Sequence, residues 1–202
     1  MMRKANDFFY PGGQFSEAKA KEAYFEMMDY YHYPIPESFK GDKFWCPDFE
    51  MDDFSNVGMG GVIWENHNYD GGGYMGHEIF LLPGQMLPEH AHVAVEGVCP
   101  PKQEAWLVRH GQIYNFSVKA EASDFPDGVE IPESQKPYCK VNACDKVIAG
   151  ETDRLKNEGE MHFMMAGPAG AIVTEFATFH HNDALRFTHP KLQFAIKKEA
   201  LS

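Results

Sequence analysis

The sequence is short of basic residues, and it has no long apolar run. Its 202 residues include 18 lysines and arginines against 30 aspartates and glutamates, so the formal net charge is −12 with neutral histidines. Phosphate contacts need clustered basic side chains, and this balance therefore argues against a nucleic-acid partner. No apolar run reaches the roughly 18 residues that span a bilayer, so no membrane partner is expected.

Cysteines are also few. The four cysteines, Cys46, Cys99, Cys139 and Cys144, show no C-x-x-C spacing. We interpret them as reduced structural residues, although a zinc knuckle that uses Cys139 and Cys144 stays open. The N-terminal stretch MMRKANDFFYPGG lacks an apolar run of signal-peptide length, and we therefore expect a cytoplasmic protein.

Turn-forming and aromatic residues are plentiful, with 18 glycines, 13 prolines, 16 phenylalanines, nine tyrosines and three tryptophans. From about residue 57 to the run LQFAI at 192–196, short apolar runs alternate with turn signals such as Pro83-Gly84 and His110-Gly111. This texture is typical of an antiparallel sandwich or barrel. The sequence thus predicts an all-β domain over residues 57–202.

The first 56 residues have a different texture. The stretch SEAKAKEAYFEMMDYY at 16–31 predicts a helix that Ser16 caps, and several prolines then prevent its continuation. One face of this helix would be apolar and would carry Ala20, Ala23, Tyr24, Met27 and Met28. We interpret residues 1–56 as an arm that packs on the barrel or on a second subunit.

His90 and His92 are the first candidates for a functional site. Alternate residues of a strand project from the same face, so both imidazoles could bind one divalent transition metal ion. The spacing is a weak signal by itself, because a pair of surface histidines would look the same.

The surrounding residues strengthen the metal hypothesis. The series G-x5-H-x-H … E-x6-G, from Gly84 to Gly111, resembles the first motif of the cupin superfamily. Eleven residues separate His92 from Glu104, more than cupins usually have, so Glu96 is an alternative to Glu104 as the ligand. We favour Glu104 because it begins a strand and keeps the spacing to Gly111.

A second, weaker match follows further along the chain. Gly159-x2-His162 resembles the second cupin motif, at the start of another apolar run. The resemblance implies an all-β cupin jelly-roll barrel with an N-terminal helical arm. It also implies an interior metal ion that His90, His92, Glu104 and His162 hold.

Two further residues could carry proton chemistry. Lys102 lies two positions from Glu104, so the two side chains could share the cavity, and Glu175 follows on a later strand. A solvated loop lysine and a surface glutamate are the alternatives. Both faces of the strand around Glu175 are mixed, and periodicity does not say which face is inward.

Residues 84–187 resemble one cupin family more narrowly. They carry H-x-H, then K-x-E, then the strand V-T-E-F-A-T, and then a loop with Asn-Asp and Arg-Phe, as in the D-lyxose isomerase family. This resemblance implies a manganese-dependent aldose–ketose isomerase that converts D-lyxose and D-mannose to D-xylulose and D-fructose; Zn²⁺, Fe²⁺, Co²⁺ or Ni²⁺ could replace Mn²⁺. It makes Lys102 and Glu175 the catalytic pair, and it assigns Asp183 and Arg186 to the sugar hydroxyls.

Several alternatives to this hypothesis stay open. Proton transfer through a cis-enediol competes with a hydride shift. At the level of function, an iron-dependent cupin dioxygenase and a non-catalytic sugar-binding cupin compete with the isomerase. A homodimer is expected, because jelly-roll sheets leave edges and the aromatic arm at Phe8, Phe9 and Tyr10 needs cover.

Overall fold

The computed structural model describes residues 2–69 and 72–192, which form one α-helix, four short 3-10 helices and a curled antiparallel sheet of eight strands. The helix α1 spans Glu17–Tyr30. The strands are β1 Gly60–Tyr69, β2 Gly72–Leu81, β3 His90–His92, β4 Glu104–Ser117, β5 Ala143–Ile148, β6 Thr152–Arg154, β7 His162–Ala177 and β8 Leu185–Phe187. This architecture is the cupin jelly-roll barrel with a helical arm, and the predicted fold class is confirmed.

The strand β7 organises the sheet. It pairs with β2 on one side and with β4 on the other, and its first residue, His162, pairs with His90 of β3. β1 and β8 extend the order to β1-β2-β7-β3-β8, while β5 and β6 pair with β4. Residues that are distant in sequence thereby become neighbours across the middle of the sheet.

The interior of the sheet holds the larger apolar cluster. Ile79 of β2, Val108 of β4 and Val173 of β7 stand in register and are all buried in it. Directly paired residues in neighbouring strands project from the same face. The next inward position along these strands therefore brings His77, Trp106 and Glu175 together.

The N-terminal residues cover the outer face of the barrel. The predicted helix is confirmed: Ser16 caps α1 and accepts a hydrogen bond from the backbone N–H of Lys19. The whole predicted apolar face is buried, where it meets Phe80 of β2 and Ile172 of β7 in a second apolar cluster. The division at residue 56 stays a prediction, because packing joins the two parts closely.

Buried hydrogen bonds tie the arm to the barrel. The Tyr24 hydroxyl donates to Gln85 Oε1 over 2.6 Å, and Gln85 Nε2 donates to the carbonyl of Phe54 over 2.6 Å. Trp45 and Gly61 exchange two backbone hydrogen bonds beside β1. These contacts fix how the arm lies along the sheet.

All four cysteines are free thiols. Among the described residues, no helix combines the length and the apolar character that a membrane crossing needs. Beyond Leu192, the apolar run expected at 192–196 lies outside the described residues.

Candidate metal centre

Three histidines converge at the point where β3 meets β7. His90, His92 and His162 each offer a ligand nitrogen, and these nitrogens lie within 4.8 Å of one another. The strand period aims His90 and His92 the same way, and the pairing of His90 with His162 brings in the third ring. His92 and His162 are buried.

Backbone carbonyls orient two of these rings. His90 Nδ1 donates to the carbonyl of Pro88 over 2.9 Å, and His162 Nδ1 donates to the carbonyl of Glu160 over 2.9 Å. Since a carbonyl can only accept, each Nδ1 carries the hydrogen, and each Nε2 keeps a lone pair in the neutral ring. Metal-binding histidines are commonly held in this way.

The Glu104 carboxylate lies beside the histidine cluster and contacts two of its rings. Its carboxylate oxygens lie 3.2 Å from His92 Nε2 and 3.0 Å from His162 Nε2. A lone pair on His162 Nε2 would repel the carboxylate at that distance, so a proton or a cation must lie between them. Three imidazoles and a carboxylate match the preferences of Mn²⁺, Fe²⁺ or Zn²⁺, and these residues therefore fit a divalent ion.

The electrostatics of the rings agree with this interpretation. Burial lowers the pKa of His90 well below its usual value, and the neighbouring His162 and His92 lower it further. Burial alone would also lower the pKa of His162, but the Glu104 carboxylate and the Glu160 carbonyl together outweigh burial and raise it. The structure brings Glu104 to the histidines, whereas the alternative Glu96 is exposed in a turn of the insert.

A lysine and a second carboxylate adjoin the donor set. The side chains of Lys102, Glu104 and Glu175 are each 5% exposed or less. Lys102 Nζ donates to Glu104 Oε1 over 2.6 Å and also to Glu175 Oε1. Burial would lower the pKa of Lys102, but these two carboxylates outweigh it and raise the pKa, so the lysine is charged.

The two carboxylates are ionised for the reciprocal reason. Burial would raise the pKa of Glu104 and of Glu175, but the Lys102 ammonium and the neighbouring histidine rings together outweigh burial and lower both pKa values. The structure thus brings the expected catalytic pair together beside the expected ligands.

These groups, apart from His162, line one cavity of about 490 Å³. One end is lined by His90, His92, Lys102, Glu104 and Glu175. The remaining wall is largely apolar and is formed by residues such as Met59, Ile63, Ile79, Leu87 and Phe187. A small polar molecule could enter with its reactive end at the histidines.

The sequence missed three residues of this cavity. His77 Nδ1 lies 3.2 Å from Glu175 Oε2, and the indole of Trp45 stacks on the His77 ring. The His180 ring contacts that of His92, and burial lowers the pKa of His180 to about 4, with help from Lys102 and His92. His77 could have been recognised as a site residue only from its pairing opposite Glu175, and a single sequence does not reveal the register of strands.

The two residues expected to bind the sugar do not line this cavity. Asp183 and Arg186 are exposed, and the Arg186 guanidinium donates to the backbone carbonyls of Asp183 and Leu185. In β8 the neighbours Leu185 and Phe187 line the cavity instead, and Asn182 does so from the preceding turn. Sugar binding by Asp183 and Arg186 stays a prediction.

The sequence of this chain is similar to those of known sugar isomerases. No protein-family model matches the chain. It is 31% identical over 146 residues to a D-lyxose/D-mannose isomerase of Thermosediminibacter oceani, covering 72% of this chain and 76% of that protein. It is also 27% identical over 175 residues to a D-lyxose ketol-isomerase of a Thermofilum species, covering 87% and 92% of the two chains.

A solved structure agrees at the level of the fold. The L-ribose isomerase of Cellulomonas parahominis superposes with a TM-score of 0.69 at 15% identity, over 87% of this chain and 92% of that one. The shared fold, the converging side chains and the sequence identity to a relative over most of its length lead to one assignment. The chain belongs to the D-lyxose isomerase family of cupin aldose–ketose isomerases.

Proposed function

We propose that the protein is a divalent-metal-dependent isomerase that interconverts D-lyxose with D-xylulose and D-mannose with D-fructose. The observation that carries the proposal is the buried Lys102–Glu175 pair directly beside the cluster of His90, His92 and His162. This arrangement combines a proton-transfer group with a site for a cation. The names of the relatives in Thermosediminibacter and Thermofilum support the choice of sugars.

The ion is held by His90, His92, His162 and Glu104 in this proposal, and Mn²⁺ is the ion that we expect. When bound, such an ion supplies Lewis acidity, which makes the C–H bond next to a sugar carbonyl more acidic. Glu104 balances part of its charge. The buried carbonyls of Pro88 and Glu160 keep two of the imidazoles turned toward it.

Glu175 moves the proton. Its ionised carboxylate takes the proton from C2 of the open-chain aldose, and the electron pair of that bond forms the C1=C2 double bond of a cis-enediol. The electron pair of the C1 carbonyl moves to O1, which takes up a proton. Glu175 then returns its proton to C1 while the O2 hydroxyl gives up its proton and becomes the C2 carbonyl of the ketose, so that one hydroxyl proton passes in all from O2 to O1. A positioned carboxylate of this kind typically contributes about 10²–10⁴-fold to a rate.

Lys102 stabilises the oxygen charge that develops during this transfer. An ammonium group has three N–H donors, and Glu104 and Glu175 use two of them in the described structure. The third donor can bind a sugar oxygen. The apolar wall of the cavity strengthens these contacts, since it excludes water from the charged end.

The test begins with the purified protein and elemental analysis of its metal. We expect about one manganese ion per chain at the site, loss of activity after chelation, and recovery with Mn²⁺. Zn²⁺, Fe²⁺, Co²⁺ and Ni²⁺ are tested in parallel, because the same nitrogen and oxygen ligands bind all of these ions. A panel of aldoses that includes D-lyxose, D-mannose and L-ribose is then assayed for ketose formation. Absence of ketose from every sugar with Mn²⁺ present would refute the proposal.

Deuterium at C2 of the aldose separates the two chemical routes. Release of the label into water supports the enediol, because Glu175 exchanges its proton with solvent. Full retention of the label at C1 of the ketose would instead support a hydride shift and would remove Glu175 from the proton path.

We also propose a cytoplasmic homodimer. Phe9 is fully buried within its own chain and contacts Phe54, whereas Phe8 and Tyr10 are half-buried, so the aromatic arm is only partly covered by its own chain. The edge strand β1, exposed from Trp64 to Tyr69, remains available for association. Sedimentation of the purified protein at several concentrations would test this part.

A further inference from the structure

The two oxygens of Glu175 are held by different side chains. Lys102 donates to Oε1, and the ring of His77 lies at Oε2, with Nδ1 at 3.2 Å. His77 stands opposite Glu175 in the pairing of β2 with β7, so the contact is built into the register of the sheet. The side chains of both residues are at most 7% exposed.

The chemistry of the contact fixes the tautomer of His77. An ionised carboxylate can only accept, so His77 Nδ1 must carry the hydrogen and donate it. In the neutral ring, Nε2 then keeps a lone pair. Within the described part of the chain, this buried Nε2 has no hydrogen-bond partner. Among the described residues, no other hydrogen bond of the ring therefore competes with the one to Glu175.

Packing limits rotation of the ring. The indole of Trp45 lies parallel to it, with an interplanar angle of 7° and a centroid distance of 5.8 Å. On another side is Gly61, where a Cβ would lie 2.9 Å from His77 Nε2 and 2.8 Å from the Trp45 indole. Both Trp45 and Gly61 are fixed by the backbone hydrogen bonds between them.

We propose that His77 is a positioning residue for the isomerisation: it donates from Nδ1 to Glu175 Oε2 and so holds the carboxylate in the orientation that reaches C1 and C2. The inference rests on the proposed function, because it assigns the proton transfer to Glu175. His77 keeps its own proton throughout. The carbon-bound proton passes between Glu175 and the sugar carbons, and the hydroxyl proton passes between the sugar oxygens O2 and O1. Lys102 and His77 act as two clamps, one for each carboxylate oxygen.

The test compares three substitutions of His77 in the full-length, manganese-loaded protein. The amide N–H of asparagine can take the place of Nδ1, whereas the amide of glutamine reaches the place of Nε2. Leucine removes the donor and retains the bulk. We expect His77→Leu and His77→Gln to lower kcat roughly 10- to 100-fold, the effect of losing one hydrogen bond to a charged group.

His77→Asn should recover most of kcat, and KM and bound manganese should stay unchanged in all three variants. Full activity of His77→Leu would overturn the proposal. So would equal losses in the asparagine and glutamine variants, since these indicate packing rather than donation. A rise in KM alone or a loss of manganese would also refute it, because binding rather than orientation would then be affected.

Two controls keep the result interpretable. Thermal unfolding shows whether each variant folds, and if His77→Leu does not, the contrast between the two amide variants decides. The unsubstituted protein is assayed in parallel. If it forms no ketose from any sugar, the proposed function fails and this inference falls with it, whereas an active parent with an unaffected His77→Leu variant rejects the role of His77 alone.

Discussion

At the scale of single residues, the site is a set of buried charges that tolerate burial only because they are paired. Lys102 lies between Glu104 and Glu175, and all three side chains are at most 5% exposed. An unpaired charge in such a place would cost several kcal/mol. The sequence indicated these residue types and their spacing to the histidines, but not which oxygens and nitrogens meet.

Replacing Glu175 by glutamine should separate chemistry from metal binding. Glu175→Gln keeps the size of the side chain and removes the base, so we expect kcat to fall about 10²–10⁴-fold while manganese stays bound. Glu104→Gln is the matched control, and it should lose manganese, because it removes a ligand. Elemental analysis and initial rates measure both effects. Retained turnover in Glu175→Gln would exclude it as the base.

Lys102 should matter for stability as well as for catalysis. Lys102→Met leaves two carboxylates buried side by side without their cation, and we expect it to lower the free energy of unfolding by about 3–5 kcal/mol in the metal-free protein. Lys119→Met removes the half-exposed ion pair with Asp145 and should cost less than about 1 kcal/mol. Urea unfolding of both variants makes the comparison. Equal losses would contradict our view of the buried charges.

At the scale of elements, β7 decides which side chains meet. Alternation along this strand predicted that Glu175 shares a face with Val173, but both faces are mixed in polarity. The neighbouring strands β2 and β4 resolve the ambiguity. Val173 is buried between them, so its face, which Glu175 shares, points inward. Phe176 lies on the opposite, outer face and is 55% exposed. Such pairing partners lie about 70 to 100 residues away, and one sequence does not reveal them.

The glycine at the end of the first cupin motif has a structural explanation in β4. Gly111 has a φ of +74°, and a Cβ there would overlap the carbonyl oxygen of Gly170 in β7. We expect Gly111→Ala to destabilise the fold by about 3 kcal/mol, from the left-handed backbone and the overlap together.

Gly76→Ala is the control for this substitution. Gly76 lies in β2, where the nearest atom to an added Cβ would be 3.9 Å away. Alanine should be tolerated there or should stabilise slightly, because it has less backbone freedom in the unfolded chain. Thermal unfolding of both variants checks the prediction, and similar melting temperatures would contradict it.

At the scale of the whole molecule, two apolar clusters share one sheet. The inner cluster fills the barrel, and the outer cluster joins the arm to the back of β2 and β7. The arm also delivers Trp45 to the cavity wall. Residues 1–56 therefore contribute to the site as well as to the core, which composition alone did not indicate.

Truncating one side chain of the arm should therefore weaken the whole fold. Met27 is fully buried beside Gly170, and Met27→Ala should cost about 2–5 kcal/mol by leaving a cavity between α1 and the barrel. Tyr30→Ala, on the same helix but 55% exposed, is the control and should cost far less. Thermal unfolding should show a single cooperative transition, and its midpoint should fall for Met27→Ala and stay nearly unchanged for Tyr30→Ala. Two separate transitions would show that the arm and the barrel unfold independently.

The sequence by itself determined the fold class, the position of α1 and its buried face, and the candidate side chains of the site. It could do so because local periodicity, turn residues and motif spacing are properties of short segments. The tertiary structure alone decided that Glu104 rather than Glu96 reaches the histidines, that Glu175 points inward, that Asp183 and Arg186 point outward, and that His77 and Trp45 join the cavity. These outcomes depend on strand register and long-range packing, which bring together residues that no local pattern connects.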